Sequence, residues 1–310
     1  MPRGPATGRR LRLRWLFLAL PLLAALLALA PTAHAPSATR TGCASLRPGS
    51  HLLRLTSGGV ARSAWIHVPP GGASAHPLAM VLALHGFGGN GQFMEKYSGL
   101  SGMSDRHRFV VAYPEALGAQ PRWNIGGGAG TAPNDVGFIG DLIQRLTAGG
   151  CVDPGHVYAT GVSNGGGMVA RLGCELGDRL RAIAPVAGGY STIPGCSSTR
   201  AVSVLEIHGT ADPIVPYSGK GPARSGSVRG FLRGWLARDR CRTKSVRSTP
   251  ARQIVRLDWP GCASGTAVAH LKLIGGGHEW PEARPERSDR LPPLSASKEV
   301  WQFFRGLPER

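Results

Sequence analysis

The stretch from His156 to Met168 limits the fold of this chain more than any other. Ser163 lies within Gly161-Val162-Ser163-Asn164-Gly165, a Gly-x-Ser-x-Gly pattern. That pattern suits a sharp strand-to-helix turn, which holds a serine in strained backbone geometry with its hydroxyl clear of the sheet. In a chain with 45 glycines the bare pattern is weak evidence. Its flanks strengthen it: Val157 to Thr160 is β-prone, and Met168 to Leu176 has a helical pattern.

Beyond the elbow the chain alternates short apolar runs with amphipathic ones. Strands are expected at Ala64 to Val68, Leu78 to Leu84, Phe109 to Tyr113, Val157 to Thr160, Ala182 to Val186, Val202 to Ile207 and Ala269 to Ile274. Helices are expected at Phe93 to Arg106, Val136 to Leu146, Met168 to Leu176, Val228 to Arg238 and Ser297 to Arg305. This alternation implies an α/β fold, a mostly parallel central sheet with helices on both faces. Such sheets bind ligands outside the carboxyl ends of their strands.

Three polar clusters follow strands. His85 to Gly91 comes after the second expected strand, and its Gly86-x-Gly88-x-x-Gly91 spacing also matches a dinucleotide-binding fingerprint with Glu115 as the ribose acid. A His-Gly turn here presents a backbone N–H, that of Phe87, to a developing oxyanion, and this reading takes precedence. His208-Gly-Thr-Ala-Asp212 places an acid beyond a strand end, where it can orient an imidazole. Gly275-Gly-Gly-His278 leaves His278 free to reach both Ser163 and Asp212. The order Ser163, Asp212, His278 is that of α/β-hydrolases. His85 and His208 read as structural turn residues, Asp135 as the cap of the following helix, and His270 has no convergent context. Trp123, Tyr217 and Trp280 either line an aromatic-friendly substrate pocket or pack the loops.

Residues 1–35 have the form of a signal peptide: five arginines, an apolar run from Trp15 to Ala30, and Ala33-His34-Ala35 as a cleavage site. Its removal leaves residues 36–310 as a single catalytic domain, secreted and extracellular, without a stable membrane anchor. The formal charge of +18 falls to +13 with the leader. The positive residues are mostly arginines that look scattered, without lysine runs or interleaved aromatics, so no nucleic-acid partner is expected. At most, the charge favours acidic wall polymers. In an exported chain the six cysteines are expected to form disulfides. Cys241 and Cys262 pair best, since a helix ends near the first and a strand near the second. Cys43, Cys151, Cys174 and Cys196 leave three pairings open.

At Val157 to Gly166, Asp135 to Ile139, Ala184 to Gly188, His208 to Tyr217 and Gly275 to Pro281 the sequence resembles secreted esterases known as polyhydroxybutyrate depolymerases, which are related to feruloyl and acetylxylan esterases. The resemblance runs from about Cys43 to Phe304. It implies the α/β-hydrolase fold, Ser163 as nucleophile, Asp212 as acid, His278 as base, and the Phe87 and Asn164 amides as oxyanion donors. Three glycines follow Asn164 where two and a methionine are commoner. No threonine-rich linker or second domain of the kind that grips insoluble polyester is visible. The expected chemistry is hydrolysis of polyhydroxybutyrate-type oligomers or related esters through an acyl-enzyme, with no metal or cofactor. Alternatives are a feruloyl or acetylxylan esterase, an acyltransferase on the same scaffold, and a non-catalytic wall-binding protein.

Overall fold

The computed structural model describes residues 47–72, 76–126, 132–190, 200–282 and 294–309. The expected leader, Cys43 and Cys196 lie outside them. One ten-stranded sheet runs through the molecule in the order β1-β2-β4-β3-β5-β6-β7-β10-β9-β8. Its middle is parallel: β4 (Val110–Pro114), β3 (Leu78–Leu84), β5 (Val152–Val162), β6 (Ala182–Val186), β7 (Ser203–Gly209) and β10 (Val268–Leu273). β1 (Gly49–Ser57) and β2 (Val60–Val68) extend one side antiparallel, and β8 (Val246–Ala251) and β9 (Ile254–Trp259) extend the other.

The middle strands are buried on both faces, which is why they read as nearly continuous apolar runs. Alternate residues serve opposite cores. Met80, Leu82 and Leu84 pack beneath α3 (Asp135–Ala148), α4 (Asn164–Glu175) and α5 (Val228–Arg238). Val81 and Ala83 pack beneath α1 (Gly91–Ser98), α2 (Leu100–His107) and α6 (Ala296–Arg305).

The strand expected at Ala64 to Val68 is the second half of β2, while β1 and β8 carry no apolar run that marks them, being half-buried or exposed along nearly all their length. Gly58-Gly59, both at positive φ, was the readable signal for the hairpin of β1 and β2. The helix expected over Phe93 to Arg106 is two helices. Gly99, at φ 65°, caps α1 with its N–H on the Glu95 carbonyl and turns the chain into α2.

Asp135 does not cap α3. Asn134 does, accepting from the Gly137 N–H at 2.9 Å. Asp135 is fully buried, 2.8 Å from the Arg62 guanidinium of β2, and accepts the Asn124 N–H at 2.8 Å. The same guanidinium lies 3.9 Å from the centre of the Phe138 ring. Removing one partner of such a pair strands the other charge without water. Asp135→Ala is therefore expected to cost about 3 kcal/mol or more. Urea unfolding measures this, and a loss below about 1 kcal/mol would contradict a closed pair.

Candidate active site

Ser163 joins β5 to α4 at φ 58° and ψ −119°, backbone angles that a serine adopts only under constraint. The constraint is visible. Its N–H donates to the Val186 carbonyl at 3.0 Å, and its own carbonyl accepts from Gly167 at 2.9 Å and Gly189 at 3.1 Å. A Cβ at Gly165 would stand 2.4 Å from the carbonyl oxygens of Leu84 and His85, so β3 and the elbow meet backbone to backbone. The third glycine after Asn164 has a similar cause: a Cβ at Gly167 would stand 2.3 Å from the Gly189 carbonyl.

The loops leaving β7 and β10 bring two more groups to this edge. His278 Nε2 is 2.9 Å from Ser163 Oγ, and its Nδ1 is 2.7 Å from Asp212 Oδ2. With Nδ1–H donated to the carboxylate, Nε2 can accept from the serine hydroxyl. The two loops pack closely, for a Cβ at Gly209 would meet the Gly276 carbonyl at 2.2 Å.

Asp212 is 4 % exposed and gathers donors from every side. Oδ1 accepts the Ile214 and Val215 N–H groups, each at 2.8 Å. Oδ2 accepts from His278 and faces His208 Nε2 at 3.3 Å. Burial alone would raise its pKa. His208, His278 and the Val215 amide outweigh burial and hold it at about 2.

His208 is more than the turn residue expected from sequence. Its Nδ1 lies 2.9 Å from Glu206 Oε1, and its Nε2 lies 2.9 Å from the Val215 carbonyl. Both partners only accept, so both ring nitrogens carry protons and the ring is an imidazolium. Burial would lower its pKa, but Asp212 and Glu206 raise it to about 10. Glu206 is itself fully buried, which opposes ionisation, yet His270 and His208 bring it to about 2. Its Oε1 also accepts from the Tyr190 hydroxyl at 2.8 Å, and His270 Nδ1 stands 2.6 Å from Oε2. Neither Glu206 nor His270 stands in a motif of the sequence. The available signal was Glu206 and His208 two apart in an apolar strand, hence on one face.

The Phe87 and Asn164 N–H groups have no hydrogen-bond partner among the described residues. A Cβ at Gly86 would lie 3.5 Å from Ser163 Cβ, so the Gly86–Phe87 peptide flanks the serine. Its carbonyl accepts from His85 Nδ1 at 2.7 Å and from the Gly89 N–H at 3.1 Å. That fixes the peptide plane and turns the Phe87 N–H the opposite way. His85 Nε2 accepts from the Ala116 N–H at 3.2 Å, so this ring is neutral, consistent with the lowering of its pKa by burial. Glu115, the would-be ribose acid, instead accepts the Gly91 N–H at the start of α1 at 2.9 Å.

The three rings considered for substrate contact face inward to different degrees. Trp123 is fully buried: its indole donates to the His85 carbonyl at 2.9 Å, and its backbone is clamped by the Asn164 side chain at 2.8 and 3.1 Å. Trp280, 2 % exposed, spends its indole N–H on Glu282 and Ser297. The half-buried Tyr217 bonds His270 Nε2 through its hydroxyl at 2.7 Å. Each ring thus has a polar partner within the loops around the site. The ring exposed at the site is Phe87, at 56 %. Arg122, Trp123, Asn124 and Ile125 line a cavity of about 600 Å3 beside the elbow. Cys241 and Cys262 are disulfide-bonded, as expected, and Cys151 and Cys174 are disulfide-bonded as well. Among the described residues no group of three His, Cys, Asp or Glu side chains could hold a metal ion.

A central parallel sheet with this constellation at its carboxyl edge is that of an α/β-hydrolase. The chain belongs to the esterase PHB depolymerase family, whose model matches residues 62–219. It is 32% identical over 255 residues to a Nocardia uniformis subsp. tsuyamanensis protein named as an esterase, NocK, covering 72% of each chain. It is 26% identical over 305 residues to feruloyl esterase D of Neurospora crassa, covering 91% of this chain and 94% of that one. Among solved structures it resembles the acetyl xylan esterase of Aspergillus awamori, with a TM-score of 0.59 at 17% identity over 82% of this chain and 99% of that one.

The buried charges set a pH dependence of stability. His208 has a folded pKa of about 10 against an ordinary 6.5, so its stabilisation is complete below 6.5 and fades as pH rises towards 10. Asp212 and Glu206, held at about 2, stabilise above the ordinary carboxylate range and lose that contribution as pH falls through about 2. The melting temperature of the wild type relative to His208→Gln is therefore expected to fall between about pH 6.5 and pH 10. A difference that stays constant across that range would rule out a buried imidazolium.

Proposed function

We propose that the protein is a secreted serine carboxylic-ester hydrolase in which residues 36–310 form one catalytic domain. The observation that carries the reading is the unbroken contact Ser163 Oγ to His278 Nε2 and His278 Nδ1 to Asp212. His278 takes the Ser163 proton as the hydroxyl attacks the ester carbonyl, and the oxyanion is bound by the Phe87 and Asn164 amides. His278 returns the proton to the leaving alcohol. Water activated by the same ring then attacks the acyl-enzyme and releases the acid. An amide donor of this kind supports the transition state by about 3 kcal/mol, which explains why so much of the loop network fixes one peptide plane. The leader-like residues 1–35 and the disulfide of Cys241 with Cys262 support export.

For substrate, family membership supports polyhydroxybutyrate-type oligomers or related esters. A second reading, esters on wall polysaccharide, is supported by the likeness to a feruloyl esterase over 91% of this chain and 94% of that one. Initial rates on hydroxybutyrate oligomers, methyl ferulate, acetylated xylan and p-nitrophenyl acetate separate the two. Ser163→Ala is expected to lower every esterase rate by about 10⁴-fold or more while the protein stays folded. Appreciable turnover by that variant would remove Ser163 from the mechanism.

A further inference from the structure

The arginines that look scattered in the sequence are concentrated in space. Residues 213–257 hold eleven Lys and Arg residues and one acid, Asp239, a net charge of +10. The rest of residues 36–310 holds twenty basic and seventeen acidic residues, a net +3. Asp239 is fully buried and lies 4.0 Å from the half-buried Arg238, so its charge is set against that side chain rather than the exposed ones. Nine of the eleven basic side chains are exposed, and among the described residues none of the nine is in an ion pair. The half-buried Arg256 is the one that pairs with both Asp258 and Glu299.

The nine belong to consecutive pieces of structure. Arg229 and Arg233 are one turn apart on the exposed face of α5. Arg240, Arg242 and Lys244 follow on the loop to β8. The Cys241–Cys262 disulfide ties that loop to the end of β9, and the Ala263 N–H bonds the Asp239 carbonyl at 2.7 Å. Arg247 lies on β8, the exposed edge strand, and Arg252 in the turn that follows it.

This surface reaches the catalytic edge from two sides. β9 runs antiparallel to β10, so the Arg252-Gln253 turn emerges where β10 ends. Gln253 accepts the Ile274 N–H at 2.8 Å, and His278 is four residues further on. Lys220 and Arg224 lie in the loop leaving Asp212, closed by the Lys220 N–H on the Ser225 carbonyl at 2.6 Å. The fold gains nothing from like charges left unpaired side by side, since self-repulsion opposes it. No exposed ring interrupts them: Trp235 is buried, and Phe231 and Trp259 are half-buried. A surface without stacking platforms does not suit nucleic-acid bases, and a neutral polyester would gain nothing from the charge.

We propose that the surface formed by α5, the loop to β8 and the β8 edge binds the carboxylates of an acidic polysaccharide, and so presents ester groups carried on that polymer to Ser163. The proposal rests on the serine-esterase reading and selects its polysaccharide branch. The test uses polygalacturonate as probe, fully methyl-esterified polygalacturonate as the uncharged control and duplex DNA as the competing polyanion, with Ser163→Ala keeping the control intact. Binding of polygalacturonate is expected to fall about tenfold or more between about 50 and about 200 mM salt. Combining Arg229→Glu, Arg233→Glu, Arg247→Glu and Arg252→Glu is expected to weaken it at least about tenfold further, since four contacts are reversed. Hydrolysis of p-nitrophenyl acetate by that variant with Ser163 present should stay within about twofold, which also shows it folded. Three results would overturn the proposal: no binding of polygalacturonate at low salt, equal binding by the charge-reversed protein, or tighter binding of DNA at matched charge. Absence of Ser163-dependent p-nitrophenyl acetate hydrolysis in the parent would overturn the esterase reading separately, while polymer binding by Ser163→Ala would still report on the surface.

Discussion

A carboxylate withdrawn from water at the end of a sheet has to be met by donors on all its lone pairs, and Asp212 organises its surroundings around that need. Two amides of its own loop fill one oxygen, and two imidazoles face the other. Each imidazole then makes its own demand. His278 turns its remaining nitrogen to Ser163, while His208, with acceptors on both sides, needs a second carboxylate and finds Glu206. Glu206 in turn draws in Tyr190 and His270. The chain of requirements runs from the Ser163 hydroxyl to the middle of the sheet. His270 on β10 reaches Glu206 on β7, its register partner, so the network spans the pairing of those two strands.

The other constraint is steric. The elbow works only if helix, strand and neighbouring loop approach to backbone contact, and the glycines at 165 and 167 are where they do. Those contacts hold Ser163 at angles it would not choose. They also bring the His85 loop alongside it, where one carbonyl gripped from two sides aims the amide of Phe87. Trp123 and Asn164 extend the grip to the next loop through hydrogen bonds between the backbone of one and the side chain of the other. Trp123 thus ties the loop that follows β4 to both the His85 turn and the elbow.

The central strands were legible because burial on both faces imposes apolar runs such as Leu78–Leu84 and Ala182–Val186. The edge hairpins were not, because a strand like β8 that is exposed along nearly its whole length carries no hydrophobic signature. Within the site, Ser163, Asp212 and His278 could be brought together from sequence because each follows a strand and sits among small residues that shape a turn. Glu206 and His270 could not, because they lie inside strands, and which polar groups meet across a sheet depends on strand order. The roles of Trp123 and Trp280 were undecidable for a related reason: a ring contributes the same pattern whether it faces a pocket or fills the space beneath a loop.

Charge is organised differently in the two regions. Around Ser163 the ionised groups compensate one another: the His208 imidazolium stands between Asp212 and Glu206, and Arg62 closes on Asp135 nearby. Compensation is forced there, because an unpaired charge in a buried site is too costly to keep. On α5 and β8 nothing forces it, since exposed guanidinium and ammonium groups remain hydrated and their repulsion is screened beyond about 10 Å. Catalysis and attraction can therefore be separated on one chain. The buried network holds its charges in pairs, and the exposed basic side chains of α5 and β8 have none among the described residues.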